Sequence, residues 1–144
     1  MIKAHIITED EMFLLGQEFS KKLRPHTIIT LEGTLGAGKT VFVKGLSDGL
    51  GIKEPIVSPT FTLVQLYESG RIPLYHLDLY RLGCAEEFDL IDGRAILSSP
   101  SVVCIEWPGL VKEYLNYMEI IKIHISINED KTREIEIEGD EILC

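Results

Sequence analysis

The feature that most constrains the fold of this chain is an eight-residue segment, Gly33-Thr34-Leu35-Gly36-Ala37-Gly38-Lys39-Thr40. It matches the pattern GxxxxGK[ST], in which glycines allow consecutive backbone N–H groups to surround a phosphate. The β-branched, apolar run Thr27–Leu31 precedes it and predicts a buried strand. The segment Lys39–Leu50 follows it with apolar residues at helical spacing. A strand, a glycine-rich loop and a helix in this order predict an α/β protein that binds a nucleotide.

Each residue type in this loop has a chemical reason. The helix N-terminus after the loop adds a partial positive charge that favours phosphate. Lys39 is expected to reach the β- and γ-phosphates, and the Thr40 hydroxyl is expected to be a ligand of Mg²⁺. A glycine-rich turn without a ligand is the alternative, and the strand before and helix after the motif disfavour it. The predicted nucleotide-binding residues of the loop are Gly33, Gly36, Ala37, Gly38, Lys39 and Thr40.

The rest of the chain shows patterns of further strands and helices. Thr8 and Glu11 form a capping-box pattern before an amphipathic helix predicted over residues 9–23. A short helix is predicted from Glu86 to Ile91, ending at Gly93. Strand patterns occur at residues 61–67, 72–78, 102–105 and 121–127, and alternation resumes through Ile137. Because no linker or repeat interrupts them, we predict one α/β domain over residues 1–144, with antiparallel strands added at its end.

Two acidic residues are candidates for the catalytic side of the site. A P-loop enzyme needs a carboxylate at the end of a neighbouring strand, to hold Mg²⁺ or to orient the attacking water. Glu106 directly follows the apolar run Val102–Ile105, which predicts its carboxylate beside the loop, and an ordinary strand-end acid is the alternative. Asp78 alternates with His76 and Tyr80, a pattern compatible with a polar site and equally with a solvated sheet face.

Other polar and aromatic residues admit two interpretations each. The segment Ser58-Pro59-Thr60 is compatible with a loop that senses the γ-phosphate and equally with a Pro-fixed turn. Trp107 follows Glu106 and is compatible with a place in the site or in the core. His76 alone is more often structural than catalytic. No Ser or Cys has a partner at a recognisable spacing, so nucleophilic catalysis is not supported.

Composition restricts the partners and the compartment. The formal net charge of −9 argues against tight direct binding of nucleic acid, which needs a local surplus of Lys and Arg. Three separated cysteines without a CxxC pair predict a reducing compartment rather than disulfides or zinc. No apolar run is long enough to cross a bilayer, so we expect a cytoplasmic protein without membrane contact. An [NT]KxD segment typical of GTPases is missing from the sequence, which favours ATP.

Several motifs together resemble one family. The segments LEGTLGAGKT, SPTFTL, YHLDLYRL, EEFDLID and IEWP are similar to those of the bacterial TsaE (YjeE) family, over about residues 8 to 134. The resemblance implies a P-loop NTPase-like three-layer sandwich, whose mixed sheet has a parallel core and antiparallel hairpin strands. It implies a weak Mg²⁺-dependent ATPase that acts with TsaD and TsaB in making the threonylcarbamoyladenosine modification of tRNA.

The resemblance also assigns roles to individual residues. It implies that Lys39, Asp78 and Glu106 are catalytic and that Thr40 and Glu106 are Mg²⁺ ligands. It places Glu9 and the turn at Thr132-Arg133 near the nucleoside. Thr34 stands where the family commonly has Asp, and this difference bears on the hydrolysis rate, because the phosphate cradle relies on backbone N–H groups.

Two other functions are compatible with a phosphate loop. A small-molecule kinase of this fold usually closes an arginine-bearing lid over the transferred phosphoryl group. Here the arginines are scattered and no segment has the length of a lid. A nucleotide sensor without hydrolysis is the second alternative, and the presence of both Asp78 and Glu106 counts against it.

Overall fold

A computed structural model describes residues 1–34 and 36–143 of the chain. Its strands form one seven-stranded sheet in the order β1-β7-β6-β2-β5-β4-β3. These strands are β1 (Ile2–Ile6), β2 (Thr27–Glu32), β3 (Val64–Tyr67), β4 (Leu74–Asp78), β5 (Val102–Glu106), β6 (Ile120–Ile127) and β7 (Arg133–Glu138). The four inner strands β6, β2, β5 and β4 are parallel, whereas β7, β1 and β3 pair antiparallel with their neighbours. The prediction of a parallel core with antiparallel additions is therefore confirmed.

The helices are short and lie between the strands in sequence. They are α1 (Glu9–Ser20), α2 (Lys39–Gly49), α3 (Glu86–Leu90), α4 (Gly93–Ser98) and α5 (Lys112–Leu115). Before α1, the Thr8 side chain accepts a bond from the Glu11 N–H, while the Glu11 carboxylate accepts one from the Ile7 N–H. None of the helices in the described part of the chain is long and apolar enough to span a membrane.

Helices cover both faces of the sheet. Ile29 and Leu31 of β2 pack with α1 and α2 on one face, whereas Ile28 packs with α3, α4 and α5 on the other. The helices α1 and α2 touch backbone to backbone, since a Cβ on Gly45 would collide with the carbonyl of Phe13. This arrangement is the three-layer sandwich that the family resemblance implies.

Two predicted helix ends and one edge strand differ between the predictions and the structure. The helix predicted over residues 9–23 ends at Ser20, because the N–H groups of residues 21–23 bond to carbonyls three residues back. Gly93 begins α4 instead of ending a helix. The break before it is the left-handed residue Asp92 (φ 58°), and a side chain at 93 would collide with the Phe88 ring. Strand β1 has no counterpart in the predictions, although the alternation of residues 2–6 is its signal.

Candidate functional site

The phosphate loop connects the end of β2 to the start of α2, with Leu35 outside the described residues. Gly36 (φ 80°) and Gly38 (φ 107°) have left-handed backbone conformations that favour glycine. At Gly33 the limit is space, because a Cβ there would lie 2.5 Å from the Ile125 carbonyl oxygen of β6. The glycines of the motif therefore serve backbone geometry, as the pattern requires.

Lys39 is buried at the first position of α2, with only 6% of its surface exposed. Its Nζ donates to the Gly33 carbonyl at 2.8 Å and lies 3.7 Å from Glu106 Oε1. The ammonium also lies 4.5 Å from the ring centroid of Trp107, a cation–π distance. A carbonyl, a carboxylate and an aromatic ring thus hold this cation at the mouth of the loop.

Glu106 is the last residue of β5 and is also buried. The sheet register places it opposite Asp78 of β4 and Leu31 of β2. Its Oε2 lies 2.6 Å from Nε2 of His76, whose side chain is completely buried. Because one oxygen pairs with His76 and the other faces Lys39, the carboxylate has a fixed orientation at the carboxyl end of the strand.

Asp78 ends β4 with both carboxylate oxygens bonded. Oδ1 accepts from the Tyr80 N–H at 3.0 Å, and Oδ2 accepts from the Thr60 hydroxyl at 3.3 Å. Thr60 and Ser58 join their hydroxyls at 2.8 Å, which connects the Ser58-Pro59-Thr60 segment to this acid. His76 and Asp78 are buried, so the alternative of a solvated sheet face is wrong.

Tyr80 is not part of the strand face on which the alternation predicts it. Strand β4 ends at Asp78, and Tyr80 is exposed beyond it. Its ring instead packs against Trp107 with centroids 4.9 Å apart. Trp107 has a left-handed backbone (φ 56°) and is 37% exposed, so it caps the site rather than filling the core.

Most of these residues line one cavity of about 240 Å³. Its lining combines loop, strand-end and hairpin residues: Glu9, Gly36, Gly38, Lys39, Thr40, Val41, Ser58, Thr60, Asp78, Glu106 and Trp107. A second cavity of about 120 Å³ adjoins it and is lined by Glu9, Gly36, Ala37, Gly38, Lys131 and Arg133, among others. Gly36 and Gly38 border both cavities, together with Glu9 and Val41, so the two cavities adjoin at the loop.

The predicted nucleoside contacts are only partly brought together. Glu9 begins α1 and borders both cavities. Thr132 lines neither, because its N–H and hydroxyl both donate to Asp130 Oδ1, at 3.0 and 2.5 Å. Its neighbours Lys131 and Arg133 line the smaller cavity instead. The turn therefore lies near the loop, but Lys131 and Arg133 line the cavity there instead of Thr132.

The larger cavity suits Mg²⁺ bound together with a phosphate ligand. Thr40, Asp78 and Glu106 supply hydroxyl and carboxylate oxygens, the donors that Mg²⁺ prefers. Within residues 1–34 and 36–143, no cluster of three or more His, Cys, Asp or Glu side chains could hold a metal by itself. This donor set fits an ion that keeps several waters and takes further oxygens from phosphates.

Two contacts of the site have no signal in the local sequence. The bond between His76 and Glu106 depends on the register of β4 and β5, which pairs His76 with Cys104 and Asp78 with Glu106. The Arg133 guanidinium donates to the carbonyls of Gly36 and Ala37 across 96 or more residues of chain. No motif predicts either contact. The first depends on how two strands align, and the second is made to carbonyl groups, which occur at every residue.

Comparison with known proteins places the chain in a family. The family model described as threonylcarbamoyl adenosine biosynthesis protein TsaE matches residues 6–135. A protein from a Nostoc species, named tRNA threonylcarbamoyladenosine biosynthesis protein TsaE, is 42% identical over 144 positions, covering 95% of this chain and 85% of that protein. A protein of the same name from Bacillus subtilis is 36% identical over 134 residues, covering 93% of this chain and 83% of that protein.

A solved structure agrees with these sequence matches. The crystal structure of Bacillus subtilis YdiB superposes with a TM-score of 0.81 at 33% identity, covering 99% of this chain and 90% of that chain. The match extends over the sheet, the loop and both helical layers, since almost the whole chain is covered. The sequence and the fold together show that this chain belongs to the TsaE family.

Proposed function

We propose that this protein binds and hydrolyses ATP with Mg²⁺, and that it acts with TsaD and TsaB in making the threonylcarbamoyladenosine modification of tRNA. The observation that carries the ATPase proposal is the convergence of Lys39, Thr40, Asp78 and Glu106 on one cavity beside the phosphate loop. The family name and the names of its relatives support the pathway.

Phosphate binding is proposed for the loop and the start of α2. The backbone N–H groups of Gly36 and Gly38 and the helix N-terminus provide partial positive charge at this point. Lys39 adds a full charge, and its present bond to the Gly33 carbonyl is one that a phosphate oxygen can replace. A local positive site of this kind explains how a chain with a net charge of −9 binds a polyanion.

Hydrolysis is proposed for the opposite wall of the cavity. Thr40 and Glu106 would hold Mg²⁺, which when bound neutralises charge on the phosphate oxygens. We assign to Asp78 and Glu106, the two carboxylates of this cavity, the roles of orienting a water and accepting its proton. The water oxygen forms a bond to the γ-phosphorus while the bond to the bridging β–γ oxygen breaks, leaving ADP and phosphate. His76 keeps Glu106 oriented through its 2.6 Å contact.

The proposed partners account for the charge of the chain. We propose that the partner subunits hold the tRNA, since an acidic chain lacks the basic surface for that contact. We further propose that residues 1–144 act as one domain, because all described strands share one sheet. The cytoplasm is the proposed compartment, because Cys84 and Cys104 are both free thiols.

The test is phosphate release from ATP, measured with and without the TsaD and TsaB proteins. The variants are Lys39→Ala and Glu106→Ala, with Lys44→Ala as a control on an exposed position of the same helix. We expect slow release by the wild type, a changed rate with the partners, and strong loss in the two site variants alone. Equal turnover in all variants would show that the site is assigned wrongly.

The same experiment separates the alternatives. Transfer of labelled phosphate to a small molecule instead of water would support a kinase. Binding of ATP with no release, alone or with partners, would support a nucleotide sensor.

A further inference from the structure

An arginine outside the proposed catalytic set contacts the phosphate loop. Arg133 is the first residue of β7, and its Nε donates to the Ala37 carbonyl at 3.2 Å. Its Nη2 donates to the Gly36 carbonyl at 3.1 Å, and its Nη1 donates to the carbonyl of Lys131. We propose that Arg133 is a positioning residue that holds the phosphate loop in its binding conformation. This inference rests on the proposed binding of a nucleotide by that loop.

The backbone that carries Arg133 is itself well fixed. In the sheet register Arg133 pairs with Ile6 of β1 on one side and with Ile127 of β6 on the other. The turn before it is closed by a 2.8 Å bond from the Asn128 N–H to the Thr132 carbonyl. A guanidinium based on a strand with two neighbours can restrain a flexible loop, because its own anchor does not move with that loop.

The bonds act on the peptide groups that form the cradle. In a planar trans peptide the carbonyl and the N–H point in opposite directions. Holding the Ala37 carbonyl therefore directs the Gly38 N–H away from the guanidinium. Holding the Gly36 carbonyl fixes the peptide whose N–H, that of Ala37, donates to the Thr34 carbonyl at 3.1 Å. One side chain thus sets the orientation of two successive peptide groups.

The position of Arg133 separates this role from direct contact with the reacting phosphate. Arg133 lines the smaller cavity, whereas Lys39, Thr40, Asp78 and Glu106 line the larger one. The two cavities adjoin at the loop, where Gly36 and Gly38 border both. Arg133 therefore acts on phosphate binding through the loop backbone.

Arg71 provides a matched control. It also donates to two backbone carbonyls, those of Ser20 and Leu23, at 2.7 and 3.1 Å. Ser20 is the last residue of α1 and Leu23 lies just after it, and neither residue lines either cavity. Removing the Arg71 side chain deletes these two bonds. Removing the Arg133 side chain deletes its two bonds to the loop and its bond to the Lys131 carbonyl, so only this variant affects the loop.

The experiment compares wild type, Arg133→Ala, Arg133→Lys and Arg71→Ala. Titration calorimetry measures ADP affinity, and amide hydrogen exchange of the nucleotide-free protein reports on residues 36–38. We expect Arg133→Ala to weaken ADP binding about tenfold, the scale of one charge-assisted bond lost. Exchange at Ala37 should become severalfold faster, and Arg133→Lys should be intermediate. Arg71→Ala should leave both properties unchanged.

The outcomes distinguish this inference from the proposed function. Unchanged loop exchange in Arg133→Ala would overturn the positioning role, and a loss of affinity with unchanged exchange would indicate direct contact with the nucleotide. Wild-type affinity in Arg133→Ala would overturn it equally. If the wild type fails to bind ADP, the proposed function fails, while the exchange rates still decide whether Arg133 holds the loop.

Discussion

Two histidine–glutamate pairs in this protein have the same separation and opposite surroundings. His5 of β1 and Glu134 of β7 approach to 2.6 Å, with 49% and 42% of their side chains exposed. His76 of β4 and Glu106 of β5 also approach to 2.6 Å, with 0% and 7% exposed. Both pairs join neighbouring strands, so the sheet alone does not explain why one of them is buried.

The difference in surroundings indicates different roles. The exposed pair exchanges its bonds with water at little cost, so either member can be lost without leaving a buried polar group. The buried pair has lost its hydration, and pairing recovers that cost only in part. A buried pair is therefore poor evidence of stabilisation. Its position between Asp78 and Lys39 favours a role in chemistry instead.

The largest effect is expected from the glutamate of the buried pair. Glu106→Gln keeps the size of the side chain but removes the charge that faces Lys39, so ATP hydrolysis should fall about 100-fold or more. Phosphate release measures the rate, and circular dichroism checks the fold. Glu134→Gln is the matched control and should stay within about twofold of wild type. Equal losses in both variants would remove the distinction between the pairs.

The acid opposite Glu106 in the register should have the next largest effect. Asp78→Asn keeps an oxygen for the Tyr80 N–H but removes the charge, and hydrolysis should fall about tenfold to 100-fold. Asp89→Asn, at an exposed acid paired with Arg94, serves as control under the same phosphate-release assay. A wild-type rate in Asp78→Asn would leave Glu106 as the single catalytic carboxylate.

The histidines test orientation rather than charge. His76→Asn should lower stability by about 1–3 kcal/mol, because Glu106 loses a buried partner. Without His76, the Glu106 carboxylate is less well oriented as a ligand. The Mg²⁺ concentration needed for half-maximal hydrolysis should therefore rise about tenfold, the effect of losing one supporting bond to a metal ligand. Titrating Mg²⁺ in the assay measures this shift. His5→Asn should leave the Mg²⁺ requirement unchanged, and a stability loss in His76→Asn without any Mg²⁺ shift would indicate a purely structural role.

The exposed pair should show the smallest effect, and only as a pH dependence. Its hydrogen bond raises the pKa of His5 from its ordinary 6.5 and lowers the pKa of Glu134 from its ordinary 4.5. The histidine contribution to stability is complete below 6.5 and is lost as the pH rises through the raised pKa. The glutamate contribution is complete above 4.5 and is lost as the pH falls through the lowered pKa.

Thermal unfolding of wild type and His5→Asn across this range provides the measurement. The difference in melting temperature should be largest between the two ordinary pKa values and should shrink on both sides. Added salt should reduce it, since the pair is exposed to screening. A pH-independent difference would show that the histidine contributes by packing alone.

Some residues of the candidate site can be predicted from the sequence and others cannot. Lys39 and Thr40 follow from the loop motif, because the glycines, the lysine and the helix start are contiguous in the chain. Glu106 follows from its place after an apolar strand. The partner of Glu106 does not, because His76 meets it only through a parallel register across 30 residues. Such registers are determined by packing on both sheet faces rather than by local pattern.

Other differences have equally physical causes. Strand β1 is at the sheet edge and depends on β7, which follows it by more than 120 residues. Gly93 is a glycine because a side chain there would collide with the Phe88 ring. In the sequence alone, a glycine at this place looks like the end of a helix. Arg133 contacts the carbonyls of Gly36 and Ala37, and because every residue has a carbonyl, no residue type in the loop predicts this contact. The part of the site that needs a structure is therefore the contacts between residues far apart in the chain, both those set by strand register and those made to backbone groups.

The fluorescence of Trp107 is a built-in probe of ligand binding at the candidate site. The sequence contains one tryptophan, so all indole emission originates within 4.5 Å of the Lys39 ammonium and beside the Tyr80 ring. A ligand that draws the ammonium toward a phosphate changes the charge next to the excited ring. Stopped-flow mixing without any label can then test the proposed binding and release of a nucleotide.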